Sequence, residues 1–402
     1  LRELKETIQV QHKLQASPGL FRQYALERVL HGQPFQDALS SELDRHADCR
    51  AFVISAAGFD ESPSYRALQR SLGDRLVGGV FGVPPHSPLP TITNAADRVR
   101  ACGANHLIAI GGGSVIDAAK AVAFWVSEAV SGDLDLRKFP SIDSVDPSCR
   151  CNSYAHWIRI TAIPVTLSAA EFTFFAGVTD PLTREKRIFG HAMMAPRAVI
   201  YDATLTAAVD LPTFLASGIK ALDHAVERLA SLRSHPISDA MGKQAIEMLN
   251  YYLPRVKHAP DDLGARQQCQ LAAWISISGG NAGVRVGASH ALGHALGAHS
   301  LTPHGLTSCV LLPSVMRWNL PANAVRQRII SQAFGCLDSP AADAIESLVA
   351  SLGLPTRLRD AGVKKADLQA VADKALHDPV ARHNPRPVQT SADLLEILHL
   401  AW

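Results

Sequence analysis

Short apolar runs alternate with amphipathic stretches through the first half of the chain, whereas long amphipathic stretches fill the second half almost alone. Ala51-Phe52-Val53-Ile54-Ser55, Leu76-Val77-Gly78-Gly79-Val80-Phe81 and Leu107-Ile108-Ala109-Ile110 are apolar over a strand's length and predict strands of a parallel sheet. Helical patterns lie between them and before Leu107, and Trp157–Ile163 reads as a further strand. Residues from about 20 to 200 are therefore expected to form a doubly wound α/β unit. Later the period changes. Thr213–Leu232, Pro236–Tyr252, Asp262–Ile277, Ala322–Phe334, Ala341–Leu352, Lys365–Ala375 and Ser391–Leu400 predict helices, which gives an all-helical second domain packed on the first.

The run ending at Ile110 passes without a spacer into Gly111-Gly112-Gly113-Ser114, and an apolar helical segment follows from Val115. A strand, a glycine turn and a helix in direct succession expose unpaired backbone N–H groups at the helix N-terminus. Residues without side chains let a pyrophosphate approach, and the helix dipole favours its charge. The full dinucleotide fingerprint G-x-G-x-x-G is absent, so the spacing alone supports a phosphate cradle.

Apolar residues make up 47% and charged residues 19% of the 402, with a net charge of +2, which describes an ordinary globular chain with no call for nucleic acid or an anionic membrane. No apolar run reaches the length of a membrane span, and Leu1 to Gln15 is too charged for a signal peptide, so a cytoplasmic location is expected. Leu1, Leu4, Ile8, Val10 and Leu14 among polar neighbours suggest a helix that packs on a neighbouring element or on a second subunit of a homodimer. The seven cysteines form no disulfide framework, and Cys149-Arg150-Cys151 reads as part of a surface loop over 129–156.

GGGSVIDAAK resembles the signature of the iron-containing (group III) alcohol dehydrogenases. Further pieces follow in that family's order: Ile163–Thr166 with Glu171, Tyr201-Asp202, Ser217–Glu227, and His290 to Gly305. The resemblance implies a Rossmann-like dinucleotide-binding domain over 20–202 after a helical extension over 1–19. It implies an all-helical catalytic domain over 203–402, with the active site in the cleft between the two. NAD(P)H is the implied cofactor, held by Gly111, Gly112, Gly113 and Ser114 with help from Asp117, Thr166, Ser168 and Lys186. At the end of the first strand, Ala56-Ala57 stand where similar enzymes often carry an acid that repels a 2′-phosphate, so NADPH is not barred.

Metal-dependent members bind Fe²⁺ or Zn²⁺ through one Asp and three His. His224, His290 and His304 match the three His in order and spacing, but Lys220 replaces the Asp. An ammonium cannot ligate, and its charge opposes a dication. Lys220 and His224 share a helix face at i, i+4, whereas Asp223 projects about 100° away from His224. Maleylacetate reductases, a subgroup that works without metal, resemble this chain at Pro164–Glu171 and Pro196–Asp202 but differ at Ala288–His294. The expectation is an NAD(P)-dependent dehydrogenase or reductase of a small carbonyl or alcohol, acting without metal. Lys220, His224, His290, His294 and His304 are its catalytic group. Three alternatives stand beside it: a Zn²⁺ or Fe²⁺ enzyme using His224, His290 and His304, a dehydroquinate-synthase-like lyase, and a cofactor-binding homologue without redox activity.

Overall fold

The computed structural model describes residues 26–46, 48–130, 156–180, 185–300, 302 and 304–402. The expected N-terminal extension 1–19, the Cys149/Cys151 pair and nearly all of the 129–156 connection lie outside the described residues.

Six strands form one parallel sheet: β1 (Arg28–His31), β2 (Ala51–Ser55), β3 (Leu76–Phe81), β4 (His106–Gly111), β5 (Arg159–Pro164) and β8 (Ala198–Tyr201), in the order β1-β8-β5-β4-β2-β3. Strand β2 is buried at every position because both faces of the sheet are covered. Its alternate residues divide between the layers. Phe52 and Ile54 join Leu107 and Ala109 beneath α3 (Leu89–Cys102) and α4 (Gly113–Ser127). Ala51 and Val53 join Ile108 and Ile110 beneath α1 (Phe35–Leu43) and α2 (Pro63–Leu72).

The antiparallel hairpin of β6 (Phe175–Asp180) and β7 (Glu185–Gly190) is not apparent in the apolar runs. Its strands alternate only weakly, and tertiary contacts stabilise them. Asp117 of α4 accepts the Gly177 N–H at 3.1 Å, and the fully buried Lys120 donates to the Phe175 carbonyl at 3.0 Å.

After the short helix α5 (Ala203–Thr206) come α6 (Leu211–Ala230), α7 (Pro236–His258), α8 (Leu263–Ser278), α9 (Ala288–Ser300) and α10 (His304–Ala333). Helices α11 (Ala341–Ser351), α12 (Leu368–Leu376) and α13 (Ser391–Leu400) complete the chain. One apolar core joins them, with α6 at its centre. The expected helix Ala322–Phe334 is the distal part of α10, which bends at Asn323, where φ is −141°.

The two halves meet where β5 ends. Leu167 donates its N–H to Ser217 Oγ on α6 at 3.0 Å, and a Cβ added at Gly218 would lie 2.4 Å from Leu253 and 3.3 Å from Leu167. Glycine at 218 thus brings α6 close to the loop that borders the glycine turn.

Candidate active site

Gly111 of β4 pairs with Pro164 of β5, so the glycine turn and the Val165–Ala169 loop leave the sheet side by side. A Cβ on Gly111 would lie 2.6 Å from Val115, one on Gly112 3.2 Å from Thr166, and one on Gly113 3.0 Å from Ser168 Oγ. The glycines are required by close approach. Gly112 caps α4 with no side-chain hydrogen bond, and the Val115 N–H already donates to the Gly112 carbonyl at 3.0 Å, so at the start of this 15-residue helix the Gly113 and Ser114 N–H groups are left for a ligand. Uncapped N–H groups beside two hydroxyl residues fit a dinucleotide pyrophosphate.

Three of the residues expected to assist are placed differently from one another. Ser114 accepts the His86 N–H on its Oγ at 3.0 Å, and its carbonyl accepts the Ser87 hydroxyl at 2.7 Å. His86 and Ser87 both have positive φ, 65° and 49°, and this strained pair braces the turn. Asp117 is engaged with Gly177 and lies 3.6 Å from Lys120. Lys186 belongs to β7, but its side chain lies outside the described part.

The second half of the site is built on α6, whose residues are buried from Phe214 to Ala230. Lys220 Nζ lies 4.0 Å from Asp223 Oδ2. Asp223 also accepts the Ser289 and Ser308 hydroxyls at 2.9 and 2.7 Å, which ties α6 to α9 and α10. One turn on, Glu227 accepts the backbone N–H groups of Gly287 and Ser289 and contacts His290 Nδ1 at 2.7 Å. Asp223 Oδ1 lies 3.7 Å from the same nitrogen. The His224 and His290 rings stack at 5.0 Å, so His290 is reached by both Asp223 and His224 despite their different helical directions. It enters from α9 between them, an arrangement that a single-helix argument does not show.

Burial and then the Lys220 charge hold both imidazoles well below the usual histidine range. Burial raises the Asp223 carboxyl against the pull of Lys220. Glu227 is pushed up to about 8 by burial and then by the Asp223 charge, with its two backbone donors opposing. His224 Nδ1 and His290 Nε2 are buried with no hydrogen-bond partner among the described residues. His294, one turn beyond His290, lies with its ring centroid 6.2 Å from that ring and contacts Asp378 Oδ2 through Nδ1 at 2.7 Å. His304 opens α10, but its side chain is outside the described part.

These halves, a phosphate cradle at the end of β4 and a buried Lys and His cluster on α6 and α9, decide the comparison with known proteins. A family model for iron-containing alcohol dehydrogenase matches residues 27–203, and one for the C-terminal part of the Fe-containing alcohol dehydrogenase family matches 214–402. The chain belongs to the iron-containing alcohol dehydrogenase family. It is 31% identical over 375 residues to maleylacetate reductase 1 of Cupriavidus pinatubonensis, covering 92% of this chain and 93% of that one. It is 30% identical over 392 residues to lactaldehyde reductase of Escherichia coli K12, covering 94% and 98%. The crystal structure of maleylacetate reductase from Agrobacterium tumefaciens superposes with a TM-score of 0.78 at 26% identity, covering 96% and 98%.

As a member of this family, the protein is an NAD(P)-dependent dehydrogenase or reductase. Small alcohols and carbonyls are the family's usual substrates. Among the described residues no helix is long and apolar enough to cross a membrane. Asp223 and Glu227 were missing from the sequence-based catalytic set. Their i, i+4 spacing within Ala-Leu-Asp-His-Ala-Val-Glu was the available signal, since it places two acids on one stripe of a helix.

Proposed function

We propose that the protein reduces a small carbonyl compound with NAD(P)H and does so without a metal ion. The observation that carries this reading is the buried Lys220–Asp223 pair at the position from which an acidic ligand would face the histidines. As a ligand set for Fe²⁺ or Zn²⁺ the described residues fit badly. Asp223, Glu227 and His290 offer ligand atoms within 4.8 Å of one another, but Glu227 already accepts two backbone N–H groups and Asp223 Oδ2 two hydroxyls, while Asp223 Oδ1 has no hydrogen-bond partner among the described residues. An ammonium stands 4.0 Å from Asp223 Oδ2. A dication bound there would have to bear the nearby positive charge.

Thr166, Ser168 and the Gly111–Ser114 turn hold the cofactor in this reading. NAD(P)H held there would supply the hydride that reduces the carbonyl carbon. Lys220 hydrogen-bonds the carbonyl oxygen and donates the proton as the alkoxide forms. Asp223 keeps the ammonium charged and oriented, while His224 and His290, neutral because they are buried, bound the oxygen site. The domain division near residues 202–203 belongs to the same proposal, because it sets the cradle and the proton donor on facing walls of one cleft.

The test is Lys220→Met, with the Lys220→Met/Asp223→Asn double variant as a charge-balanced, folded control. Loss of a positioned general acid costs on the order of 10²–10⁴ in kcat. Full activity in both variants removes Lys220 from the mechanism. His224 Nδ1 and His290 Nε2, unpartnered among the described residues, favour a second reading, a Zn²⁺ or Fe²⁺ site using His224, His290 and His304. Stoichiometric metal in the purified protein, with activity lost to a chelator and restored by that ion, would establish it.

A further inference from the structure

Lys120 lies on α4, about two turns past Gly113, and its side chain is fully buried. Burying an ammonium is costly unless its charge is paired and its N–H groups are accepted. Here Nζ donates to the Ala170 carbonyl at 2.5 Å, to Thr173 Oγ1 at 2.7 Å and to the Phe175 carbonyl at 3.0 Å. Three separate acceptors use all three hydrogens of the ammonium. Asp117, one turn earlier on the same helix, supplies a compensating charge at 3.6 Å.

We propose that Lys120 is a positioning residue for the dinucleotide, fixing the gap between the cradle N–H groups of α4 and the Ser168 hydroxyl that faces them. The contacts between the two are continuous. Ala170, whose carbonyl Lys120 holds, has its Cβ 3.8 Å from a Cβ built on Gly113 and aims its N–H at Ser168 Oγ at 3.5 Å. Ser168 Oγ lies 3.0 Å from that same built position. Ala169, between Ser168 and Ala170, has a φ of 57°, a left-handed conformation that an L residue keeps only where its neighbours hold it. Three holds act just beyond it: Lys120 from α4, Tyr201 of β8 donating to Glu171 Oε1 at 3.0 Å, and Trp274 of α8 stacked on Phe172 at 5.4 Å. Of these three, Lys120 alone belongs to the helix that carries the cradle, so it sets the gap that a pyrophosphate must fit.

The inference rests on the Gly111–Ser114 turn as the pyrophosphate site. Lys120→Met keeps the length and apolar body of the side chain but leaves two carbonyls and a hydroxyl without their donor, which frees the segment from Ser168 to Phe175 to move away from Gly113. The loss falls on affinity for the diphosphate, because Lys120 acts through the loop and takes no part in the chemical step. A ligand that lacks phosphate does not span the gap and is insensitive to it.

Binding of the tighter of NADH and NADPH by fluorescence titration, with ADP and adenosine as competitors, tests this. Lys120→Met is expected to raise Kd for the dinucleotide and for ADP about 10-fold, with adenosine unchanged and kcat at saturating cofactor within about threefold of wild type. Ser168→Ala should weaken the dinucleotide about 5-fold in the wild-type chain but less than about twofold in Lys120→Met, since a hydroxyl no longer held in place has little left to lose. Equal Ser168→Ala effects in the two backgrounds, or equal weakening of adenosine and dinucleotide, overturns the positioning role and leaves Lys120 as a brace of the fold. Where Lys120→Met fails to fold, Thr173→Val decides, because it removes one acceptor and keeps the side-chain shape. It should raise the dinucleotide Kd about two- to fivefold with adenosine unchanged, and a wild-type Kd overturns the role. Gly113→Asp separates the two readings. If it abolishes dinucleotide binding while Lys120→Met binds as wild type does, the cradle stands and the positioning role fails. If Gly113→Asp binds with wild-type affinity, the cradle falls and the positioning role falls with it.

Discussion

Removing the charge of Lys220 is expected to destabilise the fold far more than removing that of Asp223. At 4.0 Å and an effective dielectric constant of about 20, the Lys220–Asp223 attraction is about 4 kcal/mol. Asp223 and Glu227 offer oxygens within 4.8 Å of each other, so their repulsion, when both are ionised, is about 3 kcal/mol on the same basis. Asp223→Asn loses the attraction and also ends the repulsion, for a net cost near 1 kcal/mol. Its amide can still accept the Ser289 and Ser308 hydroxyls. Lys220→Met loses the attraction and leaves two carboxyls in a buried site, which costs about 3–5 kcal/mol unless one takes up a proton. The double variant should return close to the Asp223→Asn value. Urea unfolding above pH 8, where Glu227 is ionised, followed by circular dichroism, with the m values compared across the cycle, measures these differences. Arg228 is present in all four proteins and cancels. Additive effects within about 0.5 kcal/mol, or equal single-variant costs, would refute the ionic pairing and with it the argument for a charged Lys220.

Gly113→Asp would set a carboxylate where a Cβ already lies 3.0 Å from Ser168 Oγ, and nucleotide fluorescence titration should show NADH and NADPH binding abolished. Unchanged affinity would move the cofactor elsewhere. Iron and zinc are expected well below one per chain after purification, with activity surviving EDTA, as elemental analysis and assay would report. Glu171 is pushed up to about 7 from 4.5 by burial, so its contribution to stability is full below pH 4.5 and is lost as pH rises through 7. Glu171→Gln should remove that slope, worth about 3 kcal/mol between those limits, from a plot of stability against pH. An identical slope in the variant would show that another group titrates there.

The elements legible in the sequence were those whose burial is complete or strongly one-sided. Strands β2, β3 and β4 begin and end within a residue of the expected runs, because apolar residues on both faces of a parallel strand leave a local signature. Trp157 and Ile158 precede β5, which starts at Arg159, since aromatic burial mimics a strand where the chain is only packing. The expected Pro236–Tyr252 helix runs on to His258 through Pro254, whose ring is accommodated within the last turns. Glycine at 111–113 was readable as a cradle. That Thr166 and Ser168 are the groups closing on it depends on β4 and β5 being sheet neighbours.

The sequence by itself determined the α/β-then-helical order, the strand–glycine–helix phosphate turn and the one-turn spacing of Lys220 and His224, because each follows from the local periodicity of a single element. Tertiary structure alone decided which charges meet. Asp223 becomes the counter-ion of Lys220, Glu227 orients His290 and Asp378 holds His294 only because α9, α10 and the segment after α12 converge on the buried side of α6 and α9. In water those side chains would be solvated independently. In a site closed to water, each unpaired charge costs several kcal/mol, so the partners brought into contact set the chemistry.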